Sequence, residues 1–213
     1  MGRLTAGVIA LMAIVPASAH AGIKVTFDPA GNGDLVIQAD YSDYVNKLAL
    51  VTENPSGTSP DLVIGDVTAG IADPIPSICF RVDLTIIRCQ QSMVGQININ
   101  LGRGNDTLNA KGIEQLAAFT MQHYLTAHLG PGKDVAEGAP AANVIFGGPG
   151  RDLIMGGPFG DKLFGGAQND FLVGLGGNDL LQCGNGPHDL FNDGPGKDLV
   201  NVGTCEVRVH TKF

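Results

Sequence analysis

The feature that most constrains this chain is a nine-residue repeat in its C-terminal half. Written in consecutive blocks from Leu129, the chain reads LGPGKDVAE, GAPAANVIF, GGPGRDLIM, GGPFGDKLF, GGAQNDFLV and GLGGNDLLQ, then a ten-residue block CGNGPHDLFN and finally DGPGKDLVN. An acidic or amide residue recurs near the sixth place of each block: Asp134, Asn143, Asp152, Asp161, Asp170, Asp179, Asp189 and Asp198. A short fixed period is typical of arrays in which similar units stack on one another.

Each block combines turn-forming glycines with one apolar residue. Glycine at the first, second and fourth places allows the positive φ angles of tight turns, and 31 glycines among 213 residues argue against a helical bundle. We expect short strands whose eighth residue points inward: Ile145, Ile154, Leu163, Leu172, Leu181, Phe191 and Val200. Two blocks, or 18 residues, would then form one coil of a flattened parallel β-solenoid, with coils about 4.8 Å apart. The predicted fold is all-β.

Stacked coils bring carboxylates together on two edges. We expect Asp134, Asp152, Asp170 and Asp189 on one edge, and Asp161, Asp179 and Asp198 on the other. Like carboxylates at this separation repel one another by about 1 kcal/mol per pair, even at high dielectric constant. A divalent cation between neighbouring turns reverses the sign of this energy. Flexible cages of carboxylate and carbonyl oxygens suit Ca²⁺ better than Mg²⁺, so the repeat predicts calcium binding.

The blocks resemble the GGxGxDxUx nonapeptide of the repeats-in-toxin (RTX, hemolysin-type) calcium-binding family over residues 129–201. The resemblance implies a calcium-binding β-roll in which aspartate carboxylates and glycine carbonyls of adjacent coils hold the ions. It implies carboxylate ligands from Asp152, Asp161, Asp170, Asp179 and Asp198, with Asp134 in the same pattern and Asp189 displaced by the inserted residue. It implies carbonyl ligands from Gly147, Gly148, Gly150, Gly156, Gly157, Gly165, Gly166, Gly177, Gly194 and Gly196.

Several turns depart from the family pattern. Phe159 and Gln168 replace the fourth glycine of their blocks, and Asn143 supplies only a neutral oxygen. Pro187 and His188 distort the turn before the next aspartate. We therefore expect fewer occupied sites than the same-edge pairs would permit. Alternatively, a turn that departs from the pattern retains the solenoid backbone but binds no metal ion.

Residues 22–109 have fewer glycines and alternating apolar residues typical of a β-rich leader. Strand-like stretches occur at Ile23–Phe27, Leu35–Ile37, Lys47–Val51, Phe80–Ile87 and Gln96–Leu101. The leader ends in a good repeat block at 101–108. Asp106 in that block is either an early calcium ligand or simply a turn residue.

Residues 110–128 connect the leader to the repeats, and two interpretations remain open. A short helix would use the apolar residues Ile113, Leu116, Ala117 and Phe119. Further coils of the solenoid are favoured over the helix, because the same alternation of apolar residues precedes a glycine turn at two places. These residues are Leu125, Ala127 and Leu129, and Ile97, Ile99 and Leu101. The leader would cap one end of the array, and residues 202–213 the other.

Four cysteines suggest two disulfides in an oxidising compartment. Of the three possible connectivities, local pairing is favoured, joining Cys79 to Cys89 across a predicted hairpin and Cys183 to Cys205 near the end of the repeats. A zinc site is the competing interpretation, but no C-x2-C or C-x4-C spacing supports it. The leader with its C-x9-C pair and the Cys205-Glu206 ending also resemble small secreted calcium-binding repeat proteins of actinobacterial type.

The first 21 residues match a secretory signal peptide. Arg3 precedes an apolar run over residues 4–15, which is too short for a membrane-spanning helix, and an A-x-A site follows. We expect cleavage after Ala21, or alternatively after Ala19, and no membrane span in the mature protein. An uncleaved anchor is the competing interpretation.

Charge and motifs limit the possible functions. The net charge of −8 argues against nucleic acid or anionic lipid as a partner. Neither an H-E-x-x-H nor a G-x-S-x-G motif occurs, so no enzymatic activity is predicted. We expect a secreted, structural or adhesive calcium-binding protein with a cell-surface or extracellular protein or glycan partner. The alternative is an accessory or degenerate member of a repeat-bearing extracellular hydrolase. Leu153, Met155, Phe164, Phe171 and Val173 either form an outward apolar strip, typical of a partner surface, or pack against the leader or a loop.

Overall fold

The computed structural model describes residues 23–28, 34–39, 45–53, 61–66, 71, 75–83, 85–90, 94–113, 125–201 and 204–209. Within these ranges every regular element is a strand and no helix occurs, which confirms the all-β prediction. This part of the chain accordingly holds no helix with the length and apolarity to cross a membrane. The predicted signal peptide lies outside the described residues, and so do residues 114–124 of the alternative helix.

The strands follow one another at short intervals along the described chain. They are β1 (Lys24–Asp28), β2 (Asp34–Gln38), β3 (Lys47–Glu53), β4 (Asp61–Asp66), β5 (Cys79–Arg81), β6 (Ile86–Gln90), β7 (Ile97–Asn100), β8 (Thr107–Gly112), β9 (Leu125–His128), β10 (Val135–Glu137), β11 (Asn143–Pro149), β12 (Leu153–Gly157), β13 (Lys162–Ala167), β14 (Phe171–Leu175), β15 (Leu180–Asn185), β16 (Leu190–Asn192), β17 (Leu199–Val200) and β18 (Val207–Arg208).

From β7 onward, successive strands belong alternately to two sheets. One sheet has the order β1-β2-β7-β9-β11-β13-β15-β17, and the other has the order β18-β16-β14-β12-β10-β8-β3-β4-β6-β5. Among the described strands from β7 to β18, every pairing is parallel. Within the repeats, from β9 to β17, each crossing between the sheets is a short turn, and most of these turns contain glycine.

The register within the repeats advances by two sequence blocks. Ile145 pairs with Leu163 and Leu163 pairs with Leu181, so each step is 18 residues. The hydrogen bond between Asp134 and Asp152 spans the same 18 residues. The inserted residue lengthens the step to 19 where Phe171 pairs with Leu190. The extra residue is accommodated in the turn that follows β15, so the strands on both sides keep the same faces inward. This regular register is the basis for the two rows of side chains described below.

The core lies between the inner faces of the two sheets. The residues at the eighth place of the blocks are inside as predicted: Ile145, Ile154, Leu163, Leu172 and Leu181 are fully buried, Phe191 is nearly so, and Val200 packs against the core. Leucine, isoleucine and valine residues of the leader continue the same cluster. One hydrophobic core therefore extends from the leader through the repeats.

The leader extends both sheets at one end. An antiparallel β1–β2 hairpin adds to β7, and an antiparallel β3–β4–β6–β5 arrangement adds to β8. The predicted hairpin between Cys79 and Cys89 is present as the antiparallel strands β5 and β6, so the strand-like stretch over 80–87 divides into two strands joined by a turn. Asp83 causes the break, because its carboxylate accepts hydrogen bonds from the backbone N–H and the hydroxyl of Thr85 at 2.7 and 2.8 Å. β4 was not predicted.

Both predicted disulfides are present. Cys79 and Cys89 are directly opposite on β5 and β6, and Cys183 joins the end of β15 to Cys205 just before β18. β18 pairs with β16, so the last described strand continues the parallel stack. The two disulfides thus staple the leader and the C-terminal end of the array.

The apolar residues expected on the outside do not form one strip. Phe164 lies on the eight-stranded sheet, where it stacks on Phe146 with ring centroids 4.7 Å apart, whereas the other four lie on the ten-stranded sheet. Val173 is only 1% exposed, and Leu153 and Phe171 are half-buried. The predicted strip was wrong because alternate blocks belong to different sheets.

Candidate metal centre

Two successive strands, one in each sheet, are called a coil here together with their turns. Carboxylates from successive coils form two buried rows, one at each edge where the chain crosses between the sheets. The long row contains Asp106, Asp134, Asp152, Asp170 and Asp189, and the short row contains Asp161, Asp179 and Asp198. All of these side chains are at most 3% exposed except Asp198, which is half-buried. The repeat pattern predicted both rows, and Asp106 extends the long row by one coil.

One hydrogen bond per coil links the members of each row. The Oδ1 atom of a carboxylate accepts the backbone N–H of the row member one coil earlier. In the long row the N···O distances are 2.7 Å for Asp106–Asp134, 2.9 Å for Asp134–Asp152, 2.8 Å for Asp152–Asp170 and 2.7 Å for Asp170–Asp189. In the short row they are 2.9 Å for Asp161–Asp179 and for Asp179–Asp198. These bonds use one oxygen of each carboxylate.

The glycines of the turns make room for the other oxygen. A Cβ atom on Gly147 would lie 2.6 Å from Oδ2 of Asp152, and one on Gly165 would lie 2.6 Å from Oδ2 of Asp170. A Cβ atom on Gly150 would overlap a carbonyl oxygen of the turn one coil earlier. Any side chain at these places would therefore displace either the carboxylate or the neighbouring backbone.

Positive φ angles occur where the repeat requires them. Gly148 and Gly166, at the second place of their blocks, have φ angles of 108° and 123°. Two non-glycine residues adopt the same region, Gln168 at 77° and Leu175 at 73°. The degenerate turns thus keep the backbone shape of the glycine turns at some conformational cost.

The second carboxylate oxygen is buried without a hydrogen-bond donor in most of the long row. Within the described residues this holds for Oδ2 of Asp106, Asp134, Asp152 and Asp170, and for Oδ2 of Asp179 in the short row. An ionised carboxylate removed from water costs free energy unless it is paired with a cation or with donors. Repeated at four successive members of the long row, these buried carboxylate oxygens are a strong electrostatic reason for cation binding.

Burial raises the pKa of these carboxyl groups far above its ordinary range. The pKa is about 6 for Asp106 and Asp179, and about 7 for Asp134, Asp152, Asp161 and Asp170. Loss of hydration is the main cause, and repulsion between row neighbours adds to it, while hydrogen bonds from backbone N–H groups act in the opposite direction. As the pH falls through about 6–7 these carboxyl groups therefore take up protons unless another positive charge is already bound.

The donor set fits a hard cation such as calcium, provided that the backbone takes part. No group of three or more histidine, cysteine, aspartate or glutamate side chains in the described ranges could hold a metal by itself. Backbone carbonyls of adjacent coils face the turn glycines, as those of Gly148 and Gly165 do against Gly166 and Gly147. Carboxylate and carbonyl oxygens together are the ligands that calcium prefers.

Asp161 fits a cation less well than the other row members. Its Oδ1 atom accepts hydrogen bonds from the backbone and side-chain nitrogens of Asn143, at 2.7 and 2.9 Å. Its Oδ2 atom accepts the backbone N–H of Gly157 at 2.5 Å. Both oxygens already have donors, in contrast to those of Asp134, Asp152 and Asp170 in the long row.

The structure places the other predicted site residues as follows. Asp189 lies in line with the long row, on the edge expected for it, because the inserted residue is accommodated in the turn before it. In that turn the backbone N–H of Gly186 donates to Asp189 Oδ2 at 3.2 Å. Among the predicted carbonyl donors, Gly147 O and Gly157 O already accept backbone hydrogen bonds from an adjacent coil. The predicted glycines all lie in the turns or at the strand ends beside the rows: Gly147, Gly148, Gly150, Gly156, Gly157, Gly165, Gly166, Gly177, Gly194 and Gly196.

The ends of the long row were missed by the sequence analysis. Asn46 donates its backbone N–H to Oδ1 of Asp106 at 2.6 Å, and Asp189 donates its own to Oε2 of Glu206 at 2.7 Å. Neither residue lies in a regular block, and no sequence spacing relates Asn46 to a residue 60 positions away. Glu206 had one signal, because it follows Cys205, which is linked to the end of β15.

Comparison with known families agrees with this geometry. The model of the RTX calcium-binding nonapeptide repeat (4 copies) matches the chain at residues 128–163 and 155–186. No curated protein and no solved structure matches the chain. The matched segment contains Asp134, Asp152, Asp161, Asp170 and Asp179. RTX nonapeptide repeats bind Ca²⁺, and residues 128–186 of this protein are RTX calcium-binding nonapeptide repeats.

Proposed function

We propose that this protein is a secreted calcium-binding protein whose repeats fold around Ca²⁺ into a β-roll. The observation that carries the proposal is the series of buried carboxylate oxygens without donors at Asp106, Asp134, Asp152 and Asp170, four successive members of the long row. Their repulsion and lost hydration are unfavourable in the metal-free chain, and calcium between adjacent turns offsets both. The role is structural or adhesive and does not involve catalysis.

The β-roll, a flattened parallel β-solenoid, is supported by the strand register. Successive strands alternate between two sheets, and each pairs in parallel with the strand one coil away, 18 residues later in the regular blocks. The repeat region 129–201 forms the body of the proposed solenoid. The leader, the connecting coils and residues 202–213 complete and cap it.

The proposed carboxylate ligands are Asp106, Asp134, Asp152, Asp170, Asp179, Asp189 and Asp198. Those with a buried Oδ2 atom lacking a donor, such as Asp152 and Asp170, are the strongest candidates. Carbonyl oxygens of the turn glycines would complete the coordination. Calcium tolerates irregular cages of this kind, whereas magnesium requires near-ideal octahedral geometry.

Secretion is supported by the segment at residues 1–21 and by the two disulfides. Extracellular calcium sites have dissociation constants of about 10⁻⁴–10⁻³ M, near the calcium concentration outside cells. At such concentrations each site stabilises the fold by about 0.4–1.4 kcal/mol, so several sites must act together. The repeats would be much less stable before export and would complete their folding around calcium outside the cell.

An adhesive role requires an exposed surface for an extracellular protein or glycan partner. Leu153 and Phe171 are neighbours on β12 and β14, and both face outward and are half-buried. This column of the ten-stranded sheet is therefore the proposed contact surface. It is narrower than the strip suggested by the sequence.

Calcium titration of the chain by calorimetry, combined with far-ultraviolet circular dichroism, tests the proposal. We expect several bound ions per chain and a gain of β-structure on adding calcium to chelated protein. Asp152→Asn should reduce the number of ions bound, whereas Asp61→Asn on β4, outside both rows, should not. Identical spectra with and without chelator would contradict calcium-coupled folding, and absence of calcium binding would contradict the function itself.

A further inference from the structure

The short row does not begin with a carboxylate. Its first member is Asn143, which is fully buried and donates its backbone N–H to Oδ1 of Asp161 at 2.7 Å, as an aspartate in the row would do. The side chain of Asn143 differs from that of an aspartate because it carries a donor group. That group determines what the first position of the row can bind.

The amide nitrogen of Asn143 is surrounded by three oxygens. Nδ2 lies 3.0 Å from Ala139 O, 2.8 Å from Ala141 O and 2.9 Å from Oδ1 of Asp161. Two of these are carbonyl oxygens and the third belongs to a carboxylate. A carbonyl oxygen can only accept a hydrogen bond, so the NH₂ end of the amide, and not its oxygen, must face this group. The Oδ1 atom of Asn143 accepts the backbone N–H of Ala139 at 3.0 Å, which satisfies the other side of the amide.

This set of oxygens has the composition of a calcium cage. Two carbonyls from one turn and a carboxylate from the next coil converge on one point, and an NH₂ group with its partial positive charge occupies that point. A calcium ion and the amide nitrogen cannot occupy the same place. Asp161 has donors on both of its oxygens, because Asn143 donates to Oδ1 and the backbone N–H of Gly157 donates to Oδ2, whereas Oδ2 of Asp152 and of Asp170 has none within the described residues.

A second asparagine stands at the beginning of the long row. Asn46, which is 4% exposed, donates Nδ2 to Leu101 O at 2.9 Å and to Oδ1 of Asp106 at 3.0 Å. Again an amide joins a turn carbonyl to the first carboxylate of the row. Both rows therefore begin, on the side of the leader, with an asparagine amide.

We propose that Asn143 and Asn46 are amide caps that take the place of calcium at the leader end of the two rows. This inference rests on the proposed function, because it states where calcium binding stops. The capped turns form without calcium and give the first downstream coil a template on which the calcium-dependent coils assemble. Calcium occupies only positions downstream of the caps.

The test converts one cap into a potential ligand. Asn143→Asp removes the NH₂ donor and supplies a carboxylate oxygen, so the full chain should bind one more calcium ion than the wild type in equilibrium dialysis with radioactive calcium. In calcium-free buffer the variant should melt at a lower temperature than the wild type, because two carboxylates now face each other. Saturating calcium should restore the melting temperature. Asn98→Asp on β7 adds the same charge outside the rows and should change neither the ion count nor the calcium dependence.

The outcomes separate this inference from the proposed function. If the wild type binds no calcium, the proposed function fails, whatever the variant does. If the wild type binds calcium but Asn143→Asp binds no additional ion, or calcium does not restore its stability, the amide-cap inference is overturned. An Asn143→Asp chain that stays unfolded even in saturating calcium also overturns it, because the cage would then not accept the ion.

Discussion

Lowering the pH is expected to stabilise the calcium-free chain, because protons can replace calcium in the carboxylate rows. The folded-state pKa is raised to about 7 for Asp134, Asp152 and Asp170, chiefly by burial. The same carboxyl groups titrate near 3.9 in an unfolded chain. Between these values the folded state binds more protons than the unfolded state.

The sign and the size of the effect follow from proton linkage. Because the pKa is higher in the folded state, proton binding stabilises the fold, and this stabilisation is complete at pH values below the unfolded-state pKa. It is lost as the pH rises through the folded-state pKa of about 6–7. Each such group changes the free energy of unfolding by at most about 1.4 kcal/mol per pH unit. Two groups titrating fully would contribute about 3 kcal/mol per unit, or a Tm change of about 10 °C for a chain of this size.

Thermal melts followed by far-ultraviolet circular dichroism would measure this effect. The protein should be stripped of calcium by a chelating resin, because soluble chelators release calcium in acid. Without calcium, we expect a higher Tm at about pH 5 than at about pH 7.5. With saturating calcium the order should reverse, because a bound dication requires the ionised carboxylates.

A matched variant isolates the rows from the net charge of −8. Asp152→Asn removes one titrating group from the long row and should reduce the pH dependence of the calcium-free Tm. Asp61→Asn makes the same change of charge on β4 and should have little effect. A calcium-free Tm that stays constant or rises between acid and neutral pH would refute the reasoning.

Three further predictions follow from the contacts of single residues. Asp170→Ala should weaken calcium binding at the two adjoining positions of the long row by about tenfold or more in calorimetry, about 1.4 kcal/mol each, whereas Asp61→Ala should leave the titration unchanged. Gly150→Ala should destabilise the fold by about 1–3 kcal/mol in urea denaturation, because its Cβ would overlap a backbone carbonyl. Gly176→Ala is its control, since the nearest atom to the added Cβ lies at 3.6 Å and the loss should stay within about 0.5 kcal/mol. Cys183→Ala opens a disulfide loop with a separation of 22 residues and should cost about 3 kcal/mol in the same assay.

The repeat was readable from the sequence because its period is short and local. The apolar eighth place correctly predicted the buried positions of Ile154, Leu163 and Leu172. The same spacing predicted the two rows, because residues one coil apart in the register are a constant distance apart in the chain. The cysteine pairing was predictable for a similar reason, since both partners in each disulfide are close in sequence.

Other features depended on contacts that no local pattern contains. The stretch over 80–87 divides into two strands because of the hydrogen bonds between Asp83 and Thr85. Asp189 remains in the long row because the turn before it accommodates the extra residue. Phe164 could not be assigned to a sheet until the alternation of strands between the sheets was known.

By itself the sequence determined the period, the inward residues, the turns and the acidic places, because each depends on the chemistry of neighbouring residues in one block. Only the tertiary structure decided how the rows begin and end. Asn46 meets Asp106 across 60 residues, and the amide of Asn143 meets Asp161 one coil away. These contacts place an amide donor on the first carboxylate of each row, and the sequence could not show them, because the hydrogen-bond balance of a buried group depends on every atom packed around it.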